Sequence, residues 1–271
     1  MKKSWKLGPL CLLVILLLIH NSKTRFVNEA LAKGEEIKDS VDLLEVYGVV
    51  LKKSVHKNSM NQKSAEQNVK KANIVNSGEG SGPNYDVDPS DGTDFKEVFK
   101  DSLFIGDSIS NGLMYYKHVN KENVIADIGQ DVKKTINTKI QLIKKKNPKY
   151  IYIMLGMNDS MYVNDADVFI KKYSSLIEEI NRVAPKAKVA ITSILPADAS
   201  NKKAMARIHN DRILIFNTRL QKLAKELGIP FIDLRPYLVA HPDFYGGDGV
   251  HLNRHFYRYW LKFIQVNFKE A

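Results

Sequence analysis

The last two thirds of the sequence predict a three-layer α/β/α sandwich with about five parallel strands. Two observations support this fold class. From about residue 95 onward, short apolar runs rich in Val, Ile, Tyr and Phe alternate with longer segments in which apolar residues recur at helical spacing. About five strands within residues 95–271 suit a single domain. Strands that alternate with helices require right-handed crossovers, which make the sheet parallel and cover both of its faces, as in flavodoxin-like folds.

Five strands and four helices are assigned along the chain. The strands cover the apolar runs 103–105, 124–128, 150–155, 189–194 and 230–234. The helices cover 131–146, 165–183, 203–227 and 252–268. Gly228 stands where the third helix should stop, because glycine favours the left-handed conformation that often ends a helix. Ligands bind such sheets at the carboxyl ends of the strands, so the loops after the strands should hold the functional residues.

Residues 1–26 are predicted to direct export, as a signal anchor or as a cleaved signal peptide. Three lysines precede the apolar stretch 7–19, which has the length of a signal-peptide core and could span a thin bilayer if its helix began near Trp5. The residues that follow form a poor cleavage site, and an A-x-A triplet at 30–32 lies far from the core. Lipidation of Cys11 is the weakest alternative, because a leucine precedes it. The lysines favour a cytoplasmic N-terminus, so the rest of the chain is expected outside the cell membrane, anchored or secreted.

Residues 27–94 are interpreted as a stalk followed by a flexible linker, and residues 95–271 as the folded domain. The segment 61–94 is polar and rich in Gly, Ser, Asn and Pro, a composition that favours a flexible chain. Residues 1–92 hold 13 Lys and Arg against 11 Asp and Glu, whereas the remainder holds 28 against 19. The net charge of +11 therefore belongs mostly to the folded domain.

This basic balance favours contact with polyanions, such as an anionic cell-surface polymer, without choosing among them. Nucleic acid is not expected as a partner, since no basic motif is interleaved with aromatic residues. The single cysteine excludes disulfides and cysteine-based zinc sites from the rest of the chain. No metal or other cofactor is predicted, because four further histidines show no ligand spacing: His118, His209, His241 and His255.

Three residues that can offer different hydrogen-bonding groups to a ligand follow the first three predicted strands. Ser108 lies in the turn between a strand and a helix, where its hydroxyl can point into a cleft and its N–H lies near a helix N-terminus. Gly129 lets a ligand approach the backbone closely and can present its N–H. Asn158 can direct a side-chain N–H at a developing oxyanion. Taken singly, each is better explained as a turn or helix-cap residue.

A fourth loop follows the last strand and contains Asp248 and His251. A carboxylate three residues before a histidine can hold the imidazole and fix its tautomer, which leaves the other ring nitrogen facing a nucleophile. Alone, this pair is more typical of a helix cap followed by a surface histidine. Because the carboxyl ends of parallel strands meet at one edge, the four loops together predict an acyl-transfer site. Asp107 and Asp159 are interpreted as loop-bracing rather than catalytic.

In order and position, these segments resemble the sequence blocks of the SGNH/GDSL hydrolase superfamily, over about residues 101–268. The similar segments are Gly106-Asp107-Ser108 for the first block, Gly129 for the second, Gly156-x-Asn158-Asp159 for the third and Asp248-x-x-His251 for the fifth. Ile109 replaces the leucine of the older motif name, which many members lack.

The resemblance implies a flavodoxin-like SGNH fold and a serine ester hydrolase that works through an acyl-enzyme. Ser108 would be the nucleophile and His251 the general base, with Asp248 orienting the histidine. The N–H groups of Ser108 and Gly129, together with the Asn158 amide, would form the oxyanion hole.

For an exported chain, the expected substrate is an O-acetyl or other short acyl group on cell-surface carbohydrate. The same triad could instead pass the acyl group to a sugar hydroxyl, as an O-acetyltransferase, or cleave lipid esters near the membrane. An alternative from another class is a non-catalytic surface module that binds polyanions, although a decayed site should have lost one of its members. Four residues could line the acyl pocket or simply pack: Tyr115, Tyr116, Met157 and Tyr162.

Overall fold

Five parallel strands form the sheet of the protein, in a computed structural model that describes residues 83–268. The strands run in the order β2-β1-β3-β4-β5, and every neighbouring pair is parallel. This order is that of flavodoxin-like sheets, so the predicted fold class is confirmed. The strands are β1 Ser102–Gly106, β2 Val124–Ala126, β3 Tyr150–Met154, β4 Lys188–Thr192 and β5 Phe231–Ile232.

Helices cover both faces of this sheet. In chain order they are α1 Phe95–Val98, α2 Ser108–Tyr115, α3 Val132–Lys146, α4 Asp159–Tyr162, α5 Ala166–Val183, α6 Lys202–Met205, α7 Asn210–Leu227, α8 Arg235–Ala240 and α9 Arg254–Asn267. Single 3-10 turns occur at Lys121–Asn123 and Pro242–Phe244. One hydrophobic core lies between the sheet and α3, α5 and α7, and a second lies between the sheet and α1, α2, α8 and α9.

The alternation of side chains along each strand divides residues between the two cores. In β1, Leu103 and Ile105 belong to the first core, whereas Phe104 belongs to the second. In β3, Ile153 faces the first core and Tyr152 the second, where its ring stacks on that of Phe104 at 5.2 Å between centroids. A sheet buried on both faces requires continuous apolar runs, which is why these strands could be identified in the sequence.

One predicted helix, 203–227, is interrupted in the structure. Helix α6 ends at Met205 and α7 begins at Asn210, with a turn between them. The Asn210 side chain accepts a hydrogen bond from the Ala197 N–H and donates one to the Ala197 carbonyl, both at 2.8 Å. These bonds, and the burial of Ile208 in the turn, redirect the chain before the long helix starts. The other end agrees with the prediction, since Gly228 caps α7 with a left-handed φ of 64°.

Residues 83–94, which composition assigned to the linker, lie against the domain. The Tyr85 ring stacks on Phe263 of α9 with 4.7 Å between centroids. The Asn84 N–H donates to Asn267 Oδ1 at 2.7 Å, and Asn267 Nδ2 donates to the Asn84 carbonyl at 3.0 Å. A single aromatic anchor inside a polar segment is invisible to a compositional argument, which accounts for the difference.

The predictions for the export segment 1–26, for Cys11 and for the stalk fall outside the described residues. Within residues 83–268, no helix has both the length and the hydrophobicity that crossing a membrane requires.

Candidate active site

Ser108 is the first residue of α2, directly after the turn that leaves β1. The preceding Asp107 is the N-cap, and its Oδ1 accepts a hydrogen bond from the Ile109 N–H at 2.9 Å. The backbone N–H of Ser108 therefore lies at the positive end of a helix dipole, without an acceptor among residues 83–268. The turn thus exposes both a hydroxyl and an N–H at the carboxyl edge of the sheet.

His251 and Asp248 lie in one loop between β5 and α9, which is folded around the aspartate. Asp248 Oδ1 accepts hydrogen bonds from the N–H groups of Val250 at 3.0 Å and His251 at 2.9 Å. Asp248 Oδ2 lies 2.6 Å from Nδ1 of the His251 ring. The Gly246 N–H closes the loop by donating to the His251 carbonyl at 2.7 Å. The carboxylate is therefore fixed at both oxygens and fixes the imidazole in turn.

The structure brings the histidine of this loop onto the serine of α2. His251 Nε2 lies 3.0 Å from Ser108 Oγ, within hydrogen-bond distance. Asp248, His251 and Ser108 thus form a continuous chain of carboxylate, imidazole and hydroxyl, although the last two are 143 positions apart in the sequence. A histidine held by a carboxylate on one side can take the hydroxyl proton on the other, which makes the serine a nucleophile.

The Asp248 carboxyl stays ionised at and around neutral pH. Burial pushes the pKa of its carboxyl upward, but the hydrogen bonds from the His251 ring and from the Val250 and His251 N–H groups outweigh this effect and lower the pKa to about 2. The carboxylate is therefore ionised at neutral pH and favours a proton on His251 Nδ1. That tautomer leaves Nε2 free to accept the proton of Ser108.

Gly129 and Asn158 lie in the two neighbouring loops. Gly129 has a φ of 70° and is half-buried, and its N–H has no acceptor in the part of the chain that the structure describes. Asn158 Nδ2 donates to the Gln130 carbonyl at 2.8 Å and, more weakly, to Asp107 Oδ2 at 3.4 Å. Asn158 therefore connects the residue after Gly129 to the residue before Ser108, so the three N–H groups of the predicted oxyanion hole belong to adjoining loops.

Two buried carboxylates, Asp107 and Asp159, tie these loops to the domain. Burial raises the pKa of Asp107 to about 7; the Ile109 N–H and the His251 ring lower it, and the charge of Asp159 raises it. Burial also raises the pKa of Asp159 to about 6, although its Oδ2 accepts a hydrogen bond from the Val132 N–H at 3.2 Å. Asp107 caps α2 and Asp159 contacts the first residue of α3, so both act as braces.

The raised pKa of Asp107 predicts a loss of stability as the pH rises. A carboxyl whose pKa is higher in the folded than in the unfolded chain contributes stability that is complete below about pH 4, the unfolded pKa, and is lost as the pH passes through about 7. We expect the Tm of the wild type to fall between pH 5 and 8, and Asp107→Asn to flatten this slope in thermal unfolding at pH 5, 6, 7 and 8. Asp94→Asn, at an exposed helix cap, is the control. An unchanged slope in Asp107→Asn would show that its protonation is not linked to folding.

A loop after β4 supports the histidine loop and was not identified from the sequence. The Asp198 N–H donates to the Gly249 carbonyl at 2.8 Å, and Asn201 Nδ2 donates to the Gly247 carbonyl at 3.2 Å. Gly249 has a φ of 70°, and a Cβ there would lie 2.5 Å from Cβ of Asn201. Only a glycine fits this contact, but the packing partner lies 48 positions away in the sequence, so no local pattern could reveal it.

The four residues proposed for an acyl pocket have different environments. Met157 is buried in the first core, and the Tyr116 hydroxyl donates to the Leu252 carbonyl at 3.4 Å, so both pack. Tyr115 and Tyr162 are exposed and remain available to a substrate. Among residues 83–268, no group of three or more His, Cys, Asp or Glu side chains is arranged to hold a metal ion.

The chain is similar to a known protein family and to solved structures. The model of the GDSL-like lipase/acylhydrolase family matches residues 104–259, which include every residue of the site. A solved structure of a GDSL-like lipase from Bacteroides thetaiotaomicron has a TM-score of 0.53 and 21% identity, covering 61% of this chain and 87% of its own. A proposed acylhydrolase from Bacteroides fragilis has a TM-score of 0.52 and 21% identity, covering 60% and 84%. These two structures share the fold. No curated protein matches the chain significantly.

Proposed function

Because the chain belongs to the GDSL-like lipase/acylhydrolase family and is a carboxylic ester hydrolase, we propose that Ser108, His251 and Asp248 are its catalytic triad. The observation that carries this proposal is the hydrogen-bonded chain, with 2.6 Å between Asp248 and His251 and 3.0 Å between His251 and Ser108. In the first step, Ser108 Oγ attacks the ester carbonyl while His251 Nε2 takes the hydroxyl proton. The ionised Asp248 stabilises the imidazolium that forms.

The oxyanion of the tetrahedral intermediate would be held by N–H groups of three loops. The N–H groups of Ser108 and Gly129 have no competing acceptor within residues 83–268, so they are available to the oxyanion without breaking a bond. The Asn158 amide keeps its bond to Gln130 and releases the long one to Asp107. His251 then donates its proton to the leaving alcohol, and water, activated by the same histidine, releases the acyl group.

The substrate we propose is an O-acetyl or other short acyl group on carbohydrate at the cell surface. The His251 and Asp248 side chains are 51% and 55% exposed, so the alcohol part of the ester can be as large as a polysaccharide. Ile128, next to Gly129, is 87% exposed and offers a small apolar contact rather than a channel. The predicted export segment supports an extracytoplasmic location, secreted or anchored in the membrane. An open site also gives water ready access to the acyl-enzyme, which favours hydrolysis over transfer to a sugar.

Chain-length dependence tests the short-acyl part of this proposal. A channel for long acyl groups would gain about 0.8 kcal/mol for each buried CH₂, which is about fourfold in kcat/KM per methylene. We expect no such gain, and hence a kcat/KM for 4-nitrophenyl octanoate that is no higher than for the acetate. A steep rise from acetate to octanoate would contradict the proposal and favour a lipid esterase.

The carbohydrate part is tested by incubating the full chain with acetylated glycans and measuring free acetate. We expect acetate release by the wild type and none by Ser108→Ala. Acetyl groups that reappear on an added sugar acceptor, without free acetate, would instead identify an O-acetyltransferase.

A further inference from the structure

A cavity of about 360 Å³ lies beside the first turn of α9, and four of its nine lining residues are Lys or Arg. We call it the basic cavity. Its basic and histidine residues are Lys96, Lys117, His118, Arg254, His255 and Arg258. They come from three segments of the chain that the proposed mechanism does not use. Phe95, which is buried, forms part of its floor.

The positive charge of this cavity is only partly neutralised within the described residues. Its acidic lining residue is Asp94, whose side chain is engaged in capping α1 by accepting a hydrogen bond from the Lys96 N–H at 3.0 Å. The side chains of Lys96, Lys117 and Arg254 form no ion pair or hydrogen bond within residues 83–268. Four Lys and Arg side chains facing one carboxylate in a concave site leave a positive field that attracts an anion.

Two features of this region are unfavourable for the fold unless an anion is bound. The first turn of α9 contains Arg254 and His255 and no acidic residue, although the N-terminus of a helix is its positive end. Lys117 has a left-handed φ of 60° at the residue after the α2 cap, a position where glycine is usual. A bound anion would offset the unfavourable charge at the start of α9. It would also give the left-handed conformation of Lys117 a function, that of holding a ligand-binding side chain.

The inner wall of the cavity contains two side chains that are already held in place. His118 is 8% exposed, and its Nε2 lies 3.2 Å from the Arg254 carbonyl, so Nε2 carries a proton. Its Nδ1 has no partner in the described part of the chain, and it donates to a bound oxyanion once the ring takes up a second proton. The Arg258 guanidinium is anchored by the Pro89 carbonyl and lies over the Phe95 ring, 5.2 Å from its centroid. Burial lowers the pKa of His118, and the charges of Arg254 and Arg258 lower it too.

Two segments of the chain link the cavity to the candidate active site. Arg254 follows His251 by three residues, and Lys117 lies just beyond the end of α2, which begins at Ser108. The Tyr116 hydroxyl joins the two segments by donating to the Leu252 carbonyl at 3.4 Å. Helix α2 has eight residues and is about 12 Å long. A group bound in the cavity could therefore belong to the same polymer as an ester at Ser108.

We propose that the basic cavity is a subsite for an oxyanion, phosphate or carboxylate, carried by the polymer that also carries the ester. The substrate would then be an acylated anionic polymer rather than a neutral one. This inference rests on the proposed function, because it assigns the cavity to the substrate of the same enzyme.

Binding of inorganic phosphate tests the subsite without using activity. The full chain is titrated with phosphate by calorimetry at constant ionic strength, in the wild type and in Ser108→Ala. Both should bind, and Lys117→Gly and Arg254→Gln should each weaken binding about tenfold, the effect of losing one charge-assisted hydrogen bond. Lys117→Gly also relieves the left-handed conformation, so its Tm should not fall and weaker binding cannot be ascribed to misfolding. Lys144→Gln, on the distant end of α3, is the matched control and should bind normally.

Kinetics connect the subsite to the substrate. For Lys117→Gly and Arg254→Gln we expect KM to rise about tenfold on acetylated polygalacturonate and to stay unchanged on neutral acetylated xylan, with kcat unaffected on both. The subsite is overturned if the wild type does not bind phosphate in the millimolar range, or if Lys144→Gln weakens binding as much as the cavity variants. Phosphate binding by a chain that hydrolyses no ester would show an anion site but overturn the proposed function, and with it the assignment of that site to an ester substrate. Ester hydrolysis without phosphate binding would uphold the proposed function and overturn the subsite.

Discussion

Replacing Ser108 by alanine is expected to lower kcat/KM for acetate esters by about 10⁴- to 10⁶-fold while leaving the Tm unchanged. The reason is that Ser108 Oγ is the only hydroxyl within reach of the His251 ring among the described residues, at 3.0 Å from Nε2. Loss of this atom removes the nucleophile but leaves the helix, whose cap is the side chain of Asp107. The measurement is steady-state hydrolysis of 4-nitrophenyl acetate together with thermal unfolding.

Ser110→Ala is the matched control for this experiment. Ser110 lies two residues further along α2 and is 1% exposed, and its Oγ has no hydrogen-bond partner within residues 83–268. Its removal costs no hydrogen bond, so activity should stay within a few-fold of the wild type. If Ser108→Ala retains more than a hundredth of the activity, Ser108 is not the nucleophile.

Asp248→Asn should cost about 10³- to 10⁴-fold in kcat. The asparagine oxygen can still accept from the Val250 and His251 N–H groups, so the loop should keep its shape. Its amide nitrogen, however, would face His251 Nδ1, where Asp248 Oδ2 lies at 2.6 Å. Nδ1 would then have to accept, the ring proton would move to Nε2, and the histidine could no longer take the proton of the serine.

The control for Asp248→Asn is Asp243→Asn, an aspartate of the nearby 3-10 turn that contributes only its carbonyl, which accepts a hydrogen bond from Asn253 Nδ2. This variant should hydrolyse 4-nitrophenyl acetate at the wild-type rate. A kcat for Asp248→Asn within tenfold of the wild type would argue that the carboxylate does not set the histidine tautomer.

The strands and the candidate site could be predicted because both depend on rules that act locally along the chain. A strand buried on both faces must be apolar throughout, as in β1 and β3. Parallel strands bring their carboxyl ends to one edge, which is why residues as distant as Ser108 and His251 could be expected to meet. Gly228 could be assigned as a helix end because its left-handed conformation suits glycine.

Features that depend on contacts between distant segments could not be predicted. The interruption before α7 results from the bonds between Asn210 and Ala197, and neither residue has a distinctive neighbourhood in the sequence. The docking of Tyr85 on Phe263 joins positions 178 residues apart. The basic cavity gathers residues from three segments, each with an ordinary share of cations, so only the fold makes the cluster visible.

The central claim is that one serine is activated by the hydrogen-bonded chain, and covalent labelling tests it most directly. The full chain is treated with a fluorophosphonate, a reagent that reacts with activated serines, and the modified peptide is identified by mass spectrometry. We predict a single adduct, on Ser108, which is absent in His251→Ala because the hydroxyl then lacks its base. No adduct on the wild type, or an adduct on another serine, would contradict the account.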